Sequence, residues 1–111
     1  MLFSQSLKSN RSFRRLYAKG RHQGARTLVL YCRGNGSAGN RLGITVSAKL
    51  GGAVRRNRIR RRIREIYRTN ESRFKTGFDI VAVARHGSCD AAYSQIEEDF
   101  LRLAEVLGIL K

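Results

Sequence analysis

No aspartate or glutamate occurs before Glu65 in this chain of 111 residues. Residues 1–64 carry 17 Lys and Arg side chains with no acid among them, whereas residues 65–111 carry 6 basic and 8 acidic ones. The net charge is +15 and the pI about 11.4. This balance excludes an ordinary neutral metabolic enzyme. Repulsion among so many unscreened cations opposes compaction unless a partner supplies anions, so nucleic acid is the leading candidate partner. The missing acids also exclude a protein nuclease built on two metals, which needs clustered carboxylates. Glu97, Glu98 and Asp99 are consecutive and fan out around a helix instead of converging. No catalytic residue and no metal site are therefore expected on the protein itself.

Other features are equally scarce. There is no proline, no internal repeat and no low-complexity tract. With 41% hydrophobic residues, enough for one modest core, the expectation is a single domain over residues 1–111. The longest comparable apolar run is residues 80–84, far below the ~20 residues that span a bilayer. Residues 1–20 lack the apolar segment of a signal peptide, so no membrane partner is expected. Cys32 and Cys89 are the only cysteines and are read as reduced thiols, which favours the cytoplasm. His86 and Cys89 are spaced like half a zinc site, with no second pair to complete it.

What is present is patterned. Residues 1–8 read as a polar arm, followed by a helix capped by Ser9 or Asn10, with Phe13, Leu16 and Tyr17 at helical spacing and Gly20 as its stop. Residues 26–33 alternate, with Leu28, Leu30 and Cys32 on one face and Thr27, Val29 and Tyr31 on the other. The stretch GNGSAGN at residues 34–40 is turn chemistry and predicts a hairpin to a strand bearing Leu42, Ile44 and Val46. Gly51 and Gly52 then break the chain before a basic helix over residues 53–68. Residues 78–84 (FDIVAVA) suit a strand covered on both faces. A last helix is expected from near Ser88 or Asp90, with Tyr93, Ile96, Phe100, Leu103 and Leu107 inward and Gly108 at its end. The sum is α+β, a sandwich with one mixed sheet of about four strands and three helices.

The basic helix is the most informative segment. Residues 53–68 hold 8 Arg and one Glu, while Ile59, Ile63, Ile66 and Tyr67 form an apolar stripe. Asn57, Arg61, Arg64 and Arg68 fall on the opposite side, Arg58 lies at the edge of that face, and Arg56 and Arg60 flank the stripe. A solvated helix normally intersperses Glu with Lys. Here Arg56 with Arg60, Arg58 with Arg62 and Arg60 with Arg64 are like-charge pairs, each costing some tenths of a kcal/mol. Arg55, Arg56 and Arg58 also crowd the helix start, where the macrodipole disfavours cations. Those choices make sense if phosphates occupy the site, and arginine suits bidentate phosphate contacts and base stacking.

The segment AVRRNRIRRRIREIY resembles the signature of the bacterial ribonuclease P protein family, with Arg56, Asn57 and Arg58 at its Arg-Asn-Arg centre. The resemblance extends to LKSNRSFRRLYAKG, TLVLY, RLGITVSAKLG and FDIVAVAR, nearly the whole chain. It implies a ribosomal-protein-like fold with a left-handed βαβ crossover. It also implies a catalytic RNA that removes the 5′ leader of precursor tRNA with Mg2+, the protein binding that RNA and the leader while holding no cofactor itself. Phe13, Tyr17, Val29 and Tyr31 match the family's leader cleft. Taken alone, Phe13 and Tyr17 read as packing residues. Lys49, Arg56, Asn57, Arg58, Arg60, Arg61 and Arg64 match the basic surface that meets the RNA subunit, and Arg68 extends it along the helix face. Ala48 in place of a second basic residue, Arg62 in place of an apolar one and Tyr17 in place of Phe depart from the pattern.

Charge and fold alone also allow a noncatalytic RNA-binding or ribosome-assembly protein, and a duplex-DNA binder laying the arginine helix in a major groove. The first would bind RNA without promoting leader removal. The second would prefer duplex to single strand.

Overall fold

The structure is a computed structural model and describes residues 4–111. Its elements are β1 (Ser4–Ser6), α1 (Asn10–Lys19), β2 (Arg21–Gly24), β3 (Leu28–Gly34), β4 (Asn40–Thr45), α2 (Ala53–Asn70), β5 (Phe78–Ala84) and α3 (Tyr93–Val106). Short 3-10 turns at Ala48–Leu50, Glu71–Arg73 and His86–Cys89 join them. The five strands form one mixed sheet in the order β1-β4-β5-β3-β2. β5 runs parallel to β4 and antiparallel to β3, and β1 and β2 lie at the two edges.

Alternation decides the two faces. Leu28, Leu30 and Cys32 of β3, Leu42 of β4 and Ile80, Ala82 and Ala84 of β5 are buried against Ile59, Ile63, Ile66 and Tyr67 of α2 and Ile96, Phe100 and Leu103 of α3. The other face carries a smaller core of Leu7, Leu16 and Val81, with Phe13, Tyr31 and Val83 partly buried against it, and α1 is the one α-helix on it. One ten-residue helix cannot roof five strands, so part of this face stays open.

Three expectations need correction. The hairpin across GNGSAGN does not form: β5 lies between β3 and β4, and the hairpin partner of β3 is β2. The loop is still built from turn chemistry, with Asn35 Oδ1 accepting from the Ser37 N–H at 2.8 Å and Gly36 at φ +72. Leu7 after β1 is buried rather than part of a polar arm, and the expected sheet of about four strands has five because SQS and RHQG pair as its edges. Residues 1–3 of the predicted arm lie outside the described residues. The last helix begins at Tyr93, because residues 86–89 coil as a 3-10 turn held by the Ser88 Oγ donating to the Arg85 carbonyl at 2.7 Å. Gly108 stops that helix at φ +76, a left-handed conformation that glycine adopts without strain.

A buried asparagine ties the crossover down. Asn40 Nδ2 donates to the Lys75 carbonyl at 2.9 Å and to the Tyr67 hydroxyl at 3.2 Å, while its Oδ1 accepts from the Phe78 N–H at 2.9 Å. The Tyr67 hydroxyl also shares a 2.7 Å hydrogen bond with Ser4 Oγ. The start of β4, the inner stripe of α2, the entrance to β5 and β1 are thus fixed together, which sets the pose of α2 on the sheet.

Candidate nucleic-acid interface

The open sheet face carries two cross-strand rows. Register places Gly43, Val81, Tyr31 and His22 in one row and Thr45, Val83, Val29 and Gly24 in the next. α1 lies over part of this surface, and its i, i+4 spacing points Phe13 and Tyr17 along it. The rings form a chain: Phe13 to Tyr17 at 6.3 Å between centroids, Tyr17 to Tyr31 at 5.0 Å edge-on, and Tyr31 to His22 at 5.1 Å nearly parallel. Tyr17 is 40% exposed despite its size, and its hydroxyl is hydrogen-bonded to Thr45 Oγ1 at 2.9 Å. Phe13, Arg14, Tyr17, Asn10 and Thr45 line a shallow pocket of about 370 Å³ beside it. Gly43 is demanded by this arrangement: a Cβ there would stand 2.6 Å from Phe13 Cζ.

The structure thus brings Phe13, Tyr17, Val29 and Tyr31 to one face, half-buried or exposed. His22 joins them and sequence reasoning missed it. Its strand has no apolar alternation to announce it, because all four residues of β2 are exposed. Only the β2–β3 register, with His22 opposite Tyr31, reveals its place.

The cations of α2 lie beside this cleft. β1 ends at Ser6, so among the described residues no strand lies alongside the outer edge of β4 from Gly43 onward. Arg60 and Arg64 reach that edge and share a pocket of about 160 Å³ with Phe13, Gly43 and Ile44. Asn57, Arg61, Arg64 and Arg68 are exposed and the stripe of Ile59, Ile63, Ile66 and Tyr67 is buried, as the spacing requires. Arg60 is half-buried and donates to Asn57 Oδ1 at 3.0 Å. Lys49 is exposed in the 3-10 turn before α2, its N–H donating to Ser47 Oγ at 3.2 Å. Arg58 turns to the other flank of the helix, where it lines a groove with Arg55 and Arg62.

Arg68 is the exception among the exposed cations of α2. Its Nε donates to Glu65 Oε2 at 2.9 Å, and this guanidinium holds the Glu65 carboxyl below the usual carboxylate range. Among the described residues the ion pairs are Arg41–Asp79, Arg68–Glu65 and Arg102–Asp99, so no arginine from 55 to 64 has a carboxylate partner. Arg56 Nε is buried with no hydrogen-bond partner among the described residues.

Aromatic rings on an open sheet face, with unneutralised guanidinium groups at its border, offer stacking surfaces and phosphate ligands side by side, and place the chain in the class of RNA-binding α/β sandwiches. Comparison with known proteins narrows this. The sequence model of the family described as Ribonuclease P matches residues 1–108. A ribonuclease P protein component from Alkaliphilus metalliredigens is 38% identical over 110 residues, covering 99% of each chain. One from Lachnoclostridium phytofermentans is 44% identical over 107 residues, 96% of this chain and 92% of the other. The solved RNase P protein of Staphylococcus aureus superposes with a TM-score of 0.87 at 34% identity over 98% of both chains. The chain belongs to the ribonuclease P protein family, whose members are subunits of an endoribonuclease holoenzyme and work with the ribonuclease P RNA in tRNA 5′ leader processing. Among the described residues no helix is long and apolar enough to cross a membrane.

Proposed function

We propose that the face bearing Phe13, Tyr17, Val29 and Tyr31 binds the single-stranded 5′ leader of precursor tRNA. In the same reading Lys49, Arg56, Asn57, Arg58, Arg60, Arg61, Arg64 and Arg68 carry the RNA subunit and the sugar-phosphate backbone near the cleavage point. The observation that carries this is the junction of the two surfaces, where Phe13 of the cleft and Arg60 and Arg64 of α2 line one pocket at the free edge of β4. A strand whose bases stack on the rings has its phosphates delivered to guanidinium groups. The protein supplies binding and screening, and bond cleavage belongs to the RNA with its Mg2+. The chain works as one domain in the cytoplasm, a setting that keeps Cys32 and Cys89 as the free thiols they are in the structure.

Cleavage of precursor tRNA by bacterial ribonuclease P RNA at low Mg2+, with and without this chain, tests the reading. Adding the chain lowers the Mg2+ requirement, because its cations replace part of the counterion screening of crowded phosphates. An unchanged requirement contradicts the reading, as does cleavage by the protein without RNA.

A further inference from the structure

α1 carries a charged surface of its own, apart from the arginines of α2. Four of its ten residues are cations, Arg11, Arg14, Arg15 and Lys19, and none is an acid. All four are exposed, and Leu16 is the one residue of the helix that is buried. Arg11 with Arg15 and Arg15 with Lys19 are like-charge pairs four residues apart, which destabilise a helix that merely faces water. Arg11 also stands in the first turn, where the macrodipole disfavours a cation, and Ser9 gives that turn no side-chain cap. No carboxylate answers any of the four among the described residues.

These cations form a track that leads out of the aromatic cleft. Arg14 lines the shallow pocket beside Phe13 and Tyr17, so the track starts at the cleft itself. At about 3.6 residues per turn, each step from Arg11 to Arg15 to Lys19 rises about 6 Å and drifts about 40° around the helix. The stripe therefore crosses the outer side of α1 diagonally, from the cleft to the far flank, with a step close to the separation of neighbouring phosphates along a strand. On the far flank α1 ends against β3, where a Cβ on Gly20 would stand 3.1 Å from the Cys32 carbonyl oxygen, one residue before Arg33. Arg33 shares a cross-strand row with Asp79 and Arg41, on the sheet face that also carries Tyr31. Arg41 occupies that carboxylate through two bonds of 2.8 Å and Asn35 through one of 3.1 Å. Arg33 forms no ion pair among the described residues, so it continues the track.

We propose that a leader longer than the aromatic cleft leaves it at Arg14, crosses the outer side of α1 with its phosphates on Arg11, Arg15 and Lys19, and descends toward Arg33. The inference rests on the reading that the face bearing the rings takes the leader. The RNA subunit is not the occupant, because α2 packs on the opposite face of the sheet and the outer side of α1 points away from it. The cations of the stripe are flanked by no ring on that side, so the second stretch of leader is held by charge alone and without base preference.

The test uses precursor tRNAs whose leaders are lengthened one nucleotide at a time, bound at fixed salt to the holoenzyme of this chain with bacterial ribonuclease P RNA. Affinity should rise as the cleft fills and rise again once the leader reaches the outer side of α1. Arg11→Ala with Arg15→Ala should remove about 2- to 30-fold of the second rise, the worth of two exposed ion pairs, while the first rise remains and thermal melting confirms the fold. For the longest leaders the slope of log K against log salt should shrink by about 1.4, two phosphates on a single strand. Arg11→Lys with Arg15→Lys should restore the second rise, because charge and not shape does the holding, and changing the sequence of the far nucleotides should leave it unaltered. A single rise in the parent overturns the proposal and leaves the proposed function standing. So does a double variant that loses affinity equally for every leader length and for mature tRNA. Affinity that gains nothing from a leader of any length overturns both.

Discussion

Adding one methyl group at Gly43 tests whether the aromatic cleft is built as described. The new Cβ would lie 2.6 Å from Phe13 Cζ, 2.8 Å from Phe13 Cε1 and 3.3 Å from Leu7 Cβ, where ordinary carbon contacts need about 3.5–4.0 Å. The Phe13 ring has to move by about 1 Å, carrying α1 with it or swinging toward solvent. Overpacking of this kind costs about 1–3 kcal/mol. Unfolding entropy near 2.1 cal/mol/K per residue over 111 residues is about 0.23 kcal/mol/K, so Tm should fall by about 4–13 °C. The decisive arm is a double-mutant cycle. With Phe13→Ala in place the methyl has room, and because glycine weakens a strand interior, Gly43→Ala should then be neutral or stabilising. Thermal melts of the four proteins give the coupling, and leader affinity should follow it. An equal cost of Gly43→Ala in both backgrounds would refute the packing of Phe13 on β4.

The outer face of α2 gives a second expectation: Arg61→Ala with Arg64→Ala should leave Tm unchanged, because both side chains are exposed and Ala favours helix. The slope of log K against log salt for RNA binding should shrink by about 1.4 to 1.8 if each arginine answers one phosphate, and an unchanged slope would place the contacts elsewhere. Tyr67 makes stability pH-dependent on the alkaline side. Burial raises its hydroxyl above the ordinary value, so the unfolded chain ionises first and stability, full below about pH 10, is lost as pH rises toward the folded value. Tyr67→Phe should cost about 1 kcal/mol at pH 7 through the lost bonds to Ser4 and Asn40, and it should decline less than the parent between pH 7 and 10.5 in denaturant melts. Equal declines would show that Tyr67 does not titrate against folding. Thr27 is buried and donates to Asp99 Oδ2 at 2.6 Å, so Thr27→Val should destabilise by about 1–3 kcal/mol in the same melts. A smaller loss would mean that the buried carboxylate is satisfied by Gln95 and Arg102 alone.

Helices and buried strands were legible because one face of each repeats at its own period. The stripe Ile59, Ile63, Ile66 and Tyr67 and the alternation Leu28, Leu30, Cys32 are core in the structure, and FDIVAVA is the central strand between β4 and β3. Edges were not legible. SQS and RHQG face solvent at most positions, so no apolar rhythm marks them as strands. The hairpin failed for a different reason. Turn residues at 34–40 reverse the chain, yet the partner of β3 on that side is β5, more than forty residues later, and local chemistry does not encode so distant a pairing. The arginine face followed from helical spacing, and the division of those arginines between two flanks required the neighbours of α2 in space, Phe13 on one side and Cys89 on the other.

The most direct test of the central claim compares two affinities of the assembled enzyme at fixed salt, one for precursor tRNA with its leader and one for mature tRNA. Tyr31 sits on the open face, opposite the Leu28, Leu30 and Cys32 core, so Tyr31→Ala removes a ring without emptying the main interior. Loss of one base stack is worth about 1–3 kcal/mol, which is about 5- to 150-fold in affinity. The account predicts that Tyr31→Ala, and to a similar degree Tyr17→Ala, weakens precursor binding by that factor and barely changes mature tRNA binding, with Tm confirming the fold. The same ratio in variant and parent, with the fold intact, would contradict it and return both tyrosines to packing alone.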